Sequence, residues 1–265
     1  MALSFLDRYS KGRSVIHRFD PRLKLILTLA FILAITTTPL AAWPLFLSFL
    51  ALVISAILAS GVPLTLALRR SMVVIPFALL VALSIPFTKG GRPVVAFHVL
   101  SWPLTVTDQG LLTFWGVVIK AWLSALAAGL LSASTPFLDM LWALRSLGLP
   151  KVMISIFSFM YRYLFVVVDE AMRLARARDS RSADPEGRGG GTILWQVKVL
   201  GSIIGTLFLR SYERSERIYA AMLSRGFAGE IRTLEEAPLC RSNVAATAVI
   251  LLALVIIEIL ASLYW

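Results

Sequence analysis

The sequence has few of the residues from which catalytic and metal sites are usually built. It holds one cysteine and two histidines in 265 residues, which excludes an internal disulfide and a zinc cluster. Charged residues amount to only 15 %, against about 25 % in an average soluble domain. Hydrophobic residues amount to 58 %. This composition argues against a soluble enzyme and directs attention to the apolar runs.

Long apolar runs are what the sequence has in place of charge. A membrane-spanning helix needs about 20 mostly apolar residues, and five runs reach or approach that length. We therefore predict an all-α integral membrane protein with about five transmembrane helices. A cleavable signal peptide is not expected, because the first 22 residues are polar and basic. The predicted spans are residues 23–38, 40–61, 71–88, 110–133 and 244–265.

The distribution of basic residues predicts the orientation. With the N-terminus in the cytoplasm, 23 of the 26 Lys and Arg residues fall on the cytoplasmic side. Only Lys89 and Arg92 fall outside, and Lys120 lies within the fourth span. The net charge of +11 then reflects topology and contact with anionic headgroups rather than nucleic acid. The predicted cytoplasmic parts are the N-terminus and residues 136–242.

A change of composition predicts three parts in the chain. Residues 136–242 carry 15 basic and 11 acidic side chains, whereas residues 1–135 carry 11 and 3. We therefore expect an N-terminal segment with transmembrane helices one to four in 1–135. A cytoplasmic or in-plane helical domain follows in 136–242, and a C-terminal transmembrane helix in 243–265.

Two apolar runs inside the basic segment allow two topologies. Residues 152–168 and 195–209 are each interrupted by one cation. Both could cross the membrane as a hairpin, at a cost of about 2.5–3.5 kcal/mol for each central cation. Alternatively, both are amphipathic helices lying in plane or in the cytoplasm. The charged helices that follow directly favour the second topology.

Pro150 and a loop at 184–192 predict the order of elements in this segment: a short helix, a long helix, a loop and a second long helix.

An internal repeat marks the two long helices of this segment. Positions four residues apart lie on one helix face, so each repeat has an acid-to-base pair, a small residue and a terminal Arg between small neighbours. Such an Arg is free to enter an acidic or carbonyl-lined groove of another protein, although a solvated basic face has the same spacing. With an offset of 44 residues, the pairs are Asp169 with Glu213, Arg173 with Arg217, Ala177 with Ala221, Ser180 with Ser224, Arg181 with Arg225 and Ser182 with Gly226.

These features together resemble the transmembrane T component of energy-coupling factor transporters, the EcfT/CbiQ family. The resemblance begins with residues 6–9 and an N-terminal signature in 17–24. It continues with residues 147–150, 161–163 and Glu170, and ends with the two small-Arg-small triplets. The family has an Ala-Arg-Gly motif at each of these two positions, and neither triplet of this chain has that sequence. The signature residues are Asp20, Pro21, Arg22 and Lys24.

The resemblance implies a non-catalytic scaffold in a prokaryotic cytoplasmic (inner) membrane. This scaffold joins two ABC-type ATPase subunits (CbiO/EcfA-like) to a substrate-binding membrane subunit (CbiM/CbiN-like or another S component). Residues 136–242 are then a coupling domain, in which Arg181 and Arg225, with Ser180, Ser182, Ser224 and Gly226, enter ATPase grooves. ATP and Mg would be bound by the partners, since the chain has no phosphate-loop motif and no cofactor of its own. The N-terminal signature resembles most the CbiQ branch, which implies cobalt or nickel uptake and a link to cobalamin biosynthesis.

Two further questions stay open in the sequence. A membrane-embedded transferase acting on lipid-linked phosphate substrates is the alternative function, with the cytoplasmic Arg residues binding phosphate. Lys120 and Glu258 lie in predicted spans, where ionisable groups are functional candidates. They either pair with each other or reach the membrane interfaces separately, and the second arrangement is favoured.

Overall fold

The computed structural model describes residues 19–40, 42–88, 90, 93–99, 102–181, 192–227, 229 and 241–264. Most of these residues are helical, as predicted, and one short antiparallel hairpin is added. Both strands of the hairpin are rich in β-branched and aromatic residues, which favour extended backbone. The elements are α1 Pro21–Thr37, α2 Trp43–Ser60, α3 Leu64–Met72, α4 Val74–Ala82, α5 Ile85–Thr88, β1 Pro93–Val99, β2 Trp102–Thr107, α6 Asp108–Ser134, α7 Phe137–Ser146, α8 Lys151–Asp179, α9 Ile193–Leu223 and α10 Arg241–Tyr264.

Six helical segments of the described chain are long and apolar enough to cross a membrane, against about five predicted spans. The first predicted span is not among them, because α1 has 17 residues, one fewer than the shortest of the six. Since α8 and α9 are among the six, the in-plane placement of these two helices stays a prediction. The segments are Trp43–Ser60, Leu64–Thr88, Asp108–Ser134, Lys151–Asp179, Ile193–Leu223 and Arg241–Leu263.

The order of helices inside the basic segment follows the sequence signals. Helix α7 ends before Gly148, whose φ of 101° is in the left-handed region that favours glycine. Pro150 then stands at the N-cap of α8, where its missing N–H group costs no hydrogen bond. This confirms the predicted short helix followed by a long one. The predicted loop at 184–192 lies outside the described residues except for Thr192, the N-cap of α9.

The described residues form two units. The larger lies within Ser4–Leu147 and Ala237–Trp265, and the smaller within Gly148–Glu236. Because α7 packs against α1, it belongs to the larger unit, whereas the predicted basic segment begins at residue 136. The core of the larger unit centres on α6, with Leu123 and Leu126 almost fully buried beside Phe49 and Ile57 of α2. Phe31 of α1 joins it through an edge-to-face contact with Phe49, with the ring centroids 5.6 Å apart.

The smaller unit has almost no core of its own in its described residues. Ser155 is the one buried residue of α8, and α9 has none. Large apolar side chains such as Ile193 and Leu194 are 81 % exposed. Exposed apolar surface on this scale is typical of a unit that is covered by lipid or by partner proteins.

Close packing at the start of α6 supplies a stability test. A Cβ atom at Gly110 would lie 2.8 Å from Pro86 Cα and 2.7 Å from Thr107 Oγ1. We expect Gly110→Ala to destabilise the protein by about 1–3 kcal/mol, because backbone must move to admit the methyl group. The measurement is the thermal unfolding midpoint of the detergent-solubilised chain.

The matched control is Gly129→Ala in the same helix, where an added Cβ meets no atom within 4 Å. This change should stabilise α6 by about 0.5–1 kcal/mol, because alanine loses less backbone entropy than glycine on folding. Equal midpoints for the two variants would contradict the packing described for Gly110.

Candidate functional site: two arginine-tipped helices

The ends of α8 and α9 have the same local geometry where both are described. The amides of Ser180 and Ser224 donate four residues back, to the carbonyls of Arg176 and Ala220. The next amides, of Arg181 and Arg225, donate three residues back. The hydroxyls of Ser180 and Ser224 also donate three residues back, at 3.0 and 2.9 Å. The 44-residue repeat is therefore a repeat of backbone conformation as well as of residue types.

Gly226 ends the second helix through a Schellman arrangement. Its amide donates to Leu223 O, and the amide of Phe227 donates to Met222 O, both at 3.0 Å. The φ of Gly226 is 77°, a conformation that glycine adopts without strain. Ser182, the corresponding residue after the first helix, lies outside the described residues.

Both terminal arginines are exposed, together with the described residues beside them. Arg181 and Arg225 have no ion-pair partner among the described residues. A guanidinium at a helix C-terminus also lies in the favourable field of the helix dipole. Each tip thus offers a planar fork of donors to an acceptor on another molecule.

The predicted helix-face pairs lie on α8 and α9 but do not form ion pairs. In the described part of the chain, no carboxylate contact joins Asp169 to Arg173 or Glu213 to Arg217. Instead, Arg217 Nε donates to the backbone carbonyl of Glu213 at 3.4 Å. An exposed ion pair of this spacing stabilises a helix by only about 0.3–0.5 kcal/mol. A hydrogen bond to a backbone carbonyl, such as that of Arg217, can therefore form in its place.

An ion pair that the repeat does not predict joins the two helices. Arg210 Nη1 of α9 donates to Glu170 Oε1 of α8. Glu170 is the more buried partner, with its side chain 18 % exposed against 55 % for Arg210. Glu170 was singled out by the family resemblance, but Arg210 was missed because the pair is offset by 40 residues rather than 44.

The Glu170–Arg210 pair marks the crossing of α8 and α9. On one side, residues after Glu170 line a groove with residues before Arg210; on the other, residues before Glu170 line a groove with residues after Arg210. The helices therefore run antiparallel, and their C-termini lie on opposite sides of the crossing. At 1.5 Å per residue, Arg181 lies about 17 Å from the crossing along α8 and Arg225 about 22 Å along α9.

The N-terminal signature fixes the start of α1. Asp20 Oδ1 accepts a hydrogen bond from Arg22 N at 3.0 Å and so caps the helix, and Pro21 takes the first helical position. The Arg22 guanidinium lies 3.8 Å from the ring centroid of Trp142 in α7, a cation–π contact. This pairing of Arg22 with Trp142 was not predicted from the sequence.

Lys24 completes the same corner of the larger unit. Its buried ammonium donates to Ser134 O at 3.2 Å and to Thr135 Oγ1 at 3.5 Å, at the C-terminal end of α6. The pKa of the nearby Asp139 carboxyl is raised by desolvation, and the Lys24 charge opposes the shift. The signature thus ties α1 to the turn between α6 and α7, a structural role.

Lys120 and Glu258 do not form the ion pair that was one of the two alternatives, as far as the chain is described. Lys120 Nζ donates to the carbonyls of Thr36 and Thr38, at 2.9 and 2.7 Å. It therefore caps the C-terminus of α1, where a cation is favoured by the helix dipole. Glu258 Oε2 is buried without a hydrogen-bond partner among the described residues.

This chain is similar in sequence to a known protein family and to several known proteins. A family described as CbiQ, cobalt transport protein, matches residues 12–235. The energy-coupling factor transporter transmembrane proteins EcfT of two bacteria are similar to this chain. That of Streptococcus equi is 27 % identical over 239 residues, 84 % of this chain and 83 % of the relative. That of Limosilactobacillus fermentum is 29 % identical over 227 residues, 81 % and 80 % of the two chains.

An archaeal relative extends the same similarity. An uncharacterized protein of Methanocaldococcus jannaschii is 27 % identical over 230 residues, 86 % of this chain and 76 % of the relative. The family match covers both arginine-tipped helices and the described part of the N-terminal signature. This multi-pass membrane chain, a non-catalytic transporter subunit, therefore belongs to the CbiQ/EcfT family of energy-coupling factor T components.

Proposed function

We propose that this chain couples two ABC-type ATPase subunits to a substrate-binding membrane subunit through the tips of α8 and α9. The observation that carries the proposal is the matched geometry of Ser180-Arg181 and Ser224-Arg225. Two equivalent, exposed, cationic helix ends on opposite sides of a crossing fit two equivalent acidic or carbonyl-lined grooves. One chain can thereby contact both members of an ATPase pair.

The apolar surface of α9 supports the contact with the substrate-binding subunit. Gly201 and Gly205 are exposed four residues apart, and an added Cβ at either position meets no atom within 4 Å. This small-xxx-small spacing lets a second apolar helix approach closely. Ile204 and Phe208, which are 64 % and 69 % exposed, extend the same surface.

We further propose cobalt, or nickel, as the transported ion. The family name and the resemblance of the N-terminal signature to the CbiQ branch support this choice. The ion is the cargo of the whole transporter, and its selection is assigned to the substrate-binding partner. In keeping with the basic residues, the N-terminus and the α8–α9 unit are assigned to the cytoplasmic side, with α8 and α9 in plane.

The test is affinity purification of the tagged chain from its native membrane, followed by mass spectrometry and an ATPase assay. We expect an ABC ATPase and a small membrane subunit to be recovered together. Uptake of radioactive Co²⁺ by cells that express the recovered set, with and without this chain, then tests the cargo. Purification without any ATPase would contradict the coupling function, and uptake independent of this chain would contradict the cobalt assignment.

A further inference from the structure

A groove of about 890 Å³ lies beside the crossing, between the C-terminal half of α8 and the N-terminal half of α9. Its walls differ in chemistry. Arg173 and Arg181 lie on the α8 wall. On α9, Trp195, Leu200 and Ile203, which we call the apolar wall, lie among the polar residues Gln196, Ser202 and Thr206. The groove is therefore cationic on the α8 side and amphipathic on the α9 side.

The cationic wall has charge that the protein does not neutralise. Arg210 is paired with Glu170, and Arg178 is paired with its neighbour Asp179 at 2.9 Å. Arg173 and Arg181 have no acidic partner in the described residues. They lie two helical turns apart on one face, about 12 Å along the axis. An anionic ligand can thus be met by two unpaired guanidinium groups.

The apolar wall is exposed at the same groove. Trp195 is 47 % and Leu200 is 49 % exposed. Trp195 lies in the first turn of α9, whose N-cap Thr192 makes no side-chain capping hydrogen bond. The amide groups of this first turn add positive potential to the same end of the groove. Tryptophan is the residue type that favours the boundary between lipid headgroups and hydrocarbon.

We propose that this groove binds an anionic phospholipid of the membrane in which the chain resides. The lipid phosphate pairs with Arg173 and is shared with Arg181, and an acyl chain lies along Trp195 and Leu200. A soluble anion matches only the cationic wall, and an apolar protein helix matches only the apolar wall. An anionic lipid satisfies both. The site is separate from the ATPase contact at Arg225, and it meets the proposed α8 contact only at Arg181.

The test is native mass spectrometry of the full chain, delipidated in detergent and titrated with phosphatidylglycerol. We expect one tightly retained phosphatidylglycerol, and we expect Arg173→Gln to weaken its binding about fivefold, the effect of one interfacial arginine. Arg217→Gln is the matched control, because Arg217 is the repeat counterpart of Arg173 and does not line the groove. Both arginines are exposed, so neither change should disturb folding.

A second pair of variants tests the apolar wall. Leu200→Ser should weaken phosphatidylglycerol retention, whereas Leu209→Ser should not, since Leu209 is 62 % exposed but lies outside the groove. Equal losses in Arg173→Gln and Arg217→Gln would overturn the site in favour of general surface charge. Displacement of the lipid by inorganic phosphate alone would overturn the lipid assignment. Unchanged lipid binding with weaker ATPase recovery in Arg173→Gln would assign the groove to the ATPase instead.

Discussion

Reversing both tip charges, with Arg181→Glu and Arg225→Glu together, is expected to abolish recovery of the ATPase with this chain. Uptake of Co²⁺, the proposed cargo, should fall to the background of cells without the chain. Both arginines are exposed and have no acidic partner among the described residues, so the change removes a contact with a partner rather than an internal bond. The readouts are the amount of ATPase recovered by affinity purification and the initial rate of uptake.

The size of the effect follows from the chemistry of the contact. Truncating one partner of a buried, hydrogen-bonded charge pair at an interface costs about 2–5 kcal/mol. That loss corresponds to roughly 30-fold to several-thousand-fold in affinity for each tip. Placing a glutamate in a groove that accepts a guanidinium adds repulsion between like charges. Each single reversal should therefore weaken recovery strongly, and the double reversal should leave none.

The matched control reverses two other exposed cations, with Arg176→Glu on α8 and Lys198→Glu on α9. These changes alter the net charge equally but leave both helix tips intact. We expect ATPase recovery close to that of the wild type. If the double tip reversal retained as much ATPase as this control, the tips could not be the coupling contacts.

Glu170→Ala removes the ion pair at the crossing of α8 and α9. We expect it to leave both helix tips chemically intact but to remove the fixed distance between them. Glu170 is mostly buried and accepts from Arg210 across the two helices. Since the described part of the smaller unit has almost no buried core, this pair is a main specific contact between its helices. We expect a loss of about 1–2 kcal/mol in stability, between the values for exposed and charged hydrogen-bonded pairs.

The measurement is the distance between spin labels placed at Ser180→Cys and Ser224→Cys in a Cys240→Ser background. The intact crossing should give one narrow distance below about 40 Å, the sum of the two arms at helical rise. Glu170→Ala should broaden this distribution. Uptake of Co²⁺, the proposed cargo, should decrease as the distribution broadens, because the proposed contact with two ATPase grooves needs two tips at a fixed spacing.

The charge swap Glu170→Arg with Arg210→Glu is the control for this prediction. It restores an ion pair at the same place, so it should recover the narrow distance and a substantial part of the uptake. A narrow distance in Glu170→Ala itself would show that apolar packing alone sets the crossing. A swap that behaves like Glu170→Ala would show that these two side chains act separately.

Much of the helical pattern could be predicted from local signals. Pro150 and Gly148 mark the boundary between α7 and α8 because each favours a backbone conformation found at helix ends. The 44-residue repeat predicts the matched tips because the same residue types at the same helical spacing adopt the same local hydrogen bonds. These features depend on neighbours within one helical turn, which a sequence displays directly.

Contacts between distant helices could not be predicted in the same way. The link from Arg210 to Glu170 and the cap that Lys120 provides for α1 join residues 40 or more positions apart. Their partners depend on how whole helices pack, which periodicity does not specify. Composition also could not separate spanning from in-plane helices, because α8 and α9 are long and apolar enough to span although the apolar run of each contains one cation.

The crossing of α8 and α9 is off-centre with respect to the two tips. If the Glu170–Arg210 bond is treated as a fulcrum, the helices are lever arms of about 17 Å and 22 Å. The same displacement applied at each tip then rotates the shorter arm through an angle about 1.3 times that of the longer arm. Two identical ATPase subunits that exert equal forces on the two tips would therefore produce unequal torques. Equal displacements of the two tips would produce unequal rotations. The asymmetry lies in this chain, so it is present even where the two ATPase subunits are identical.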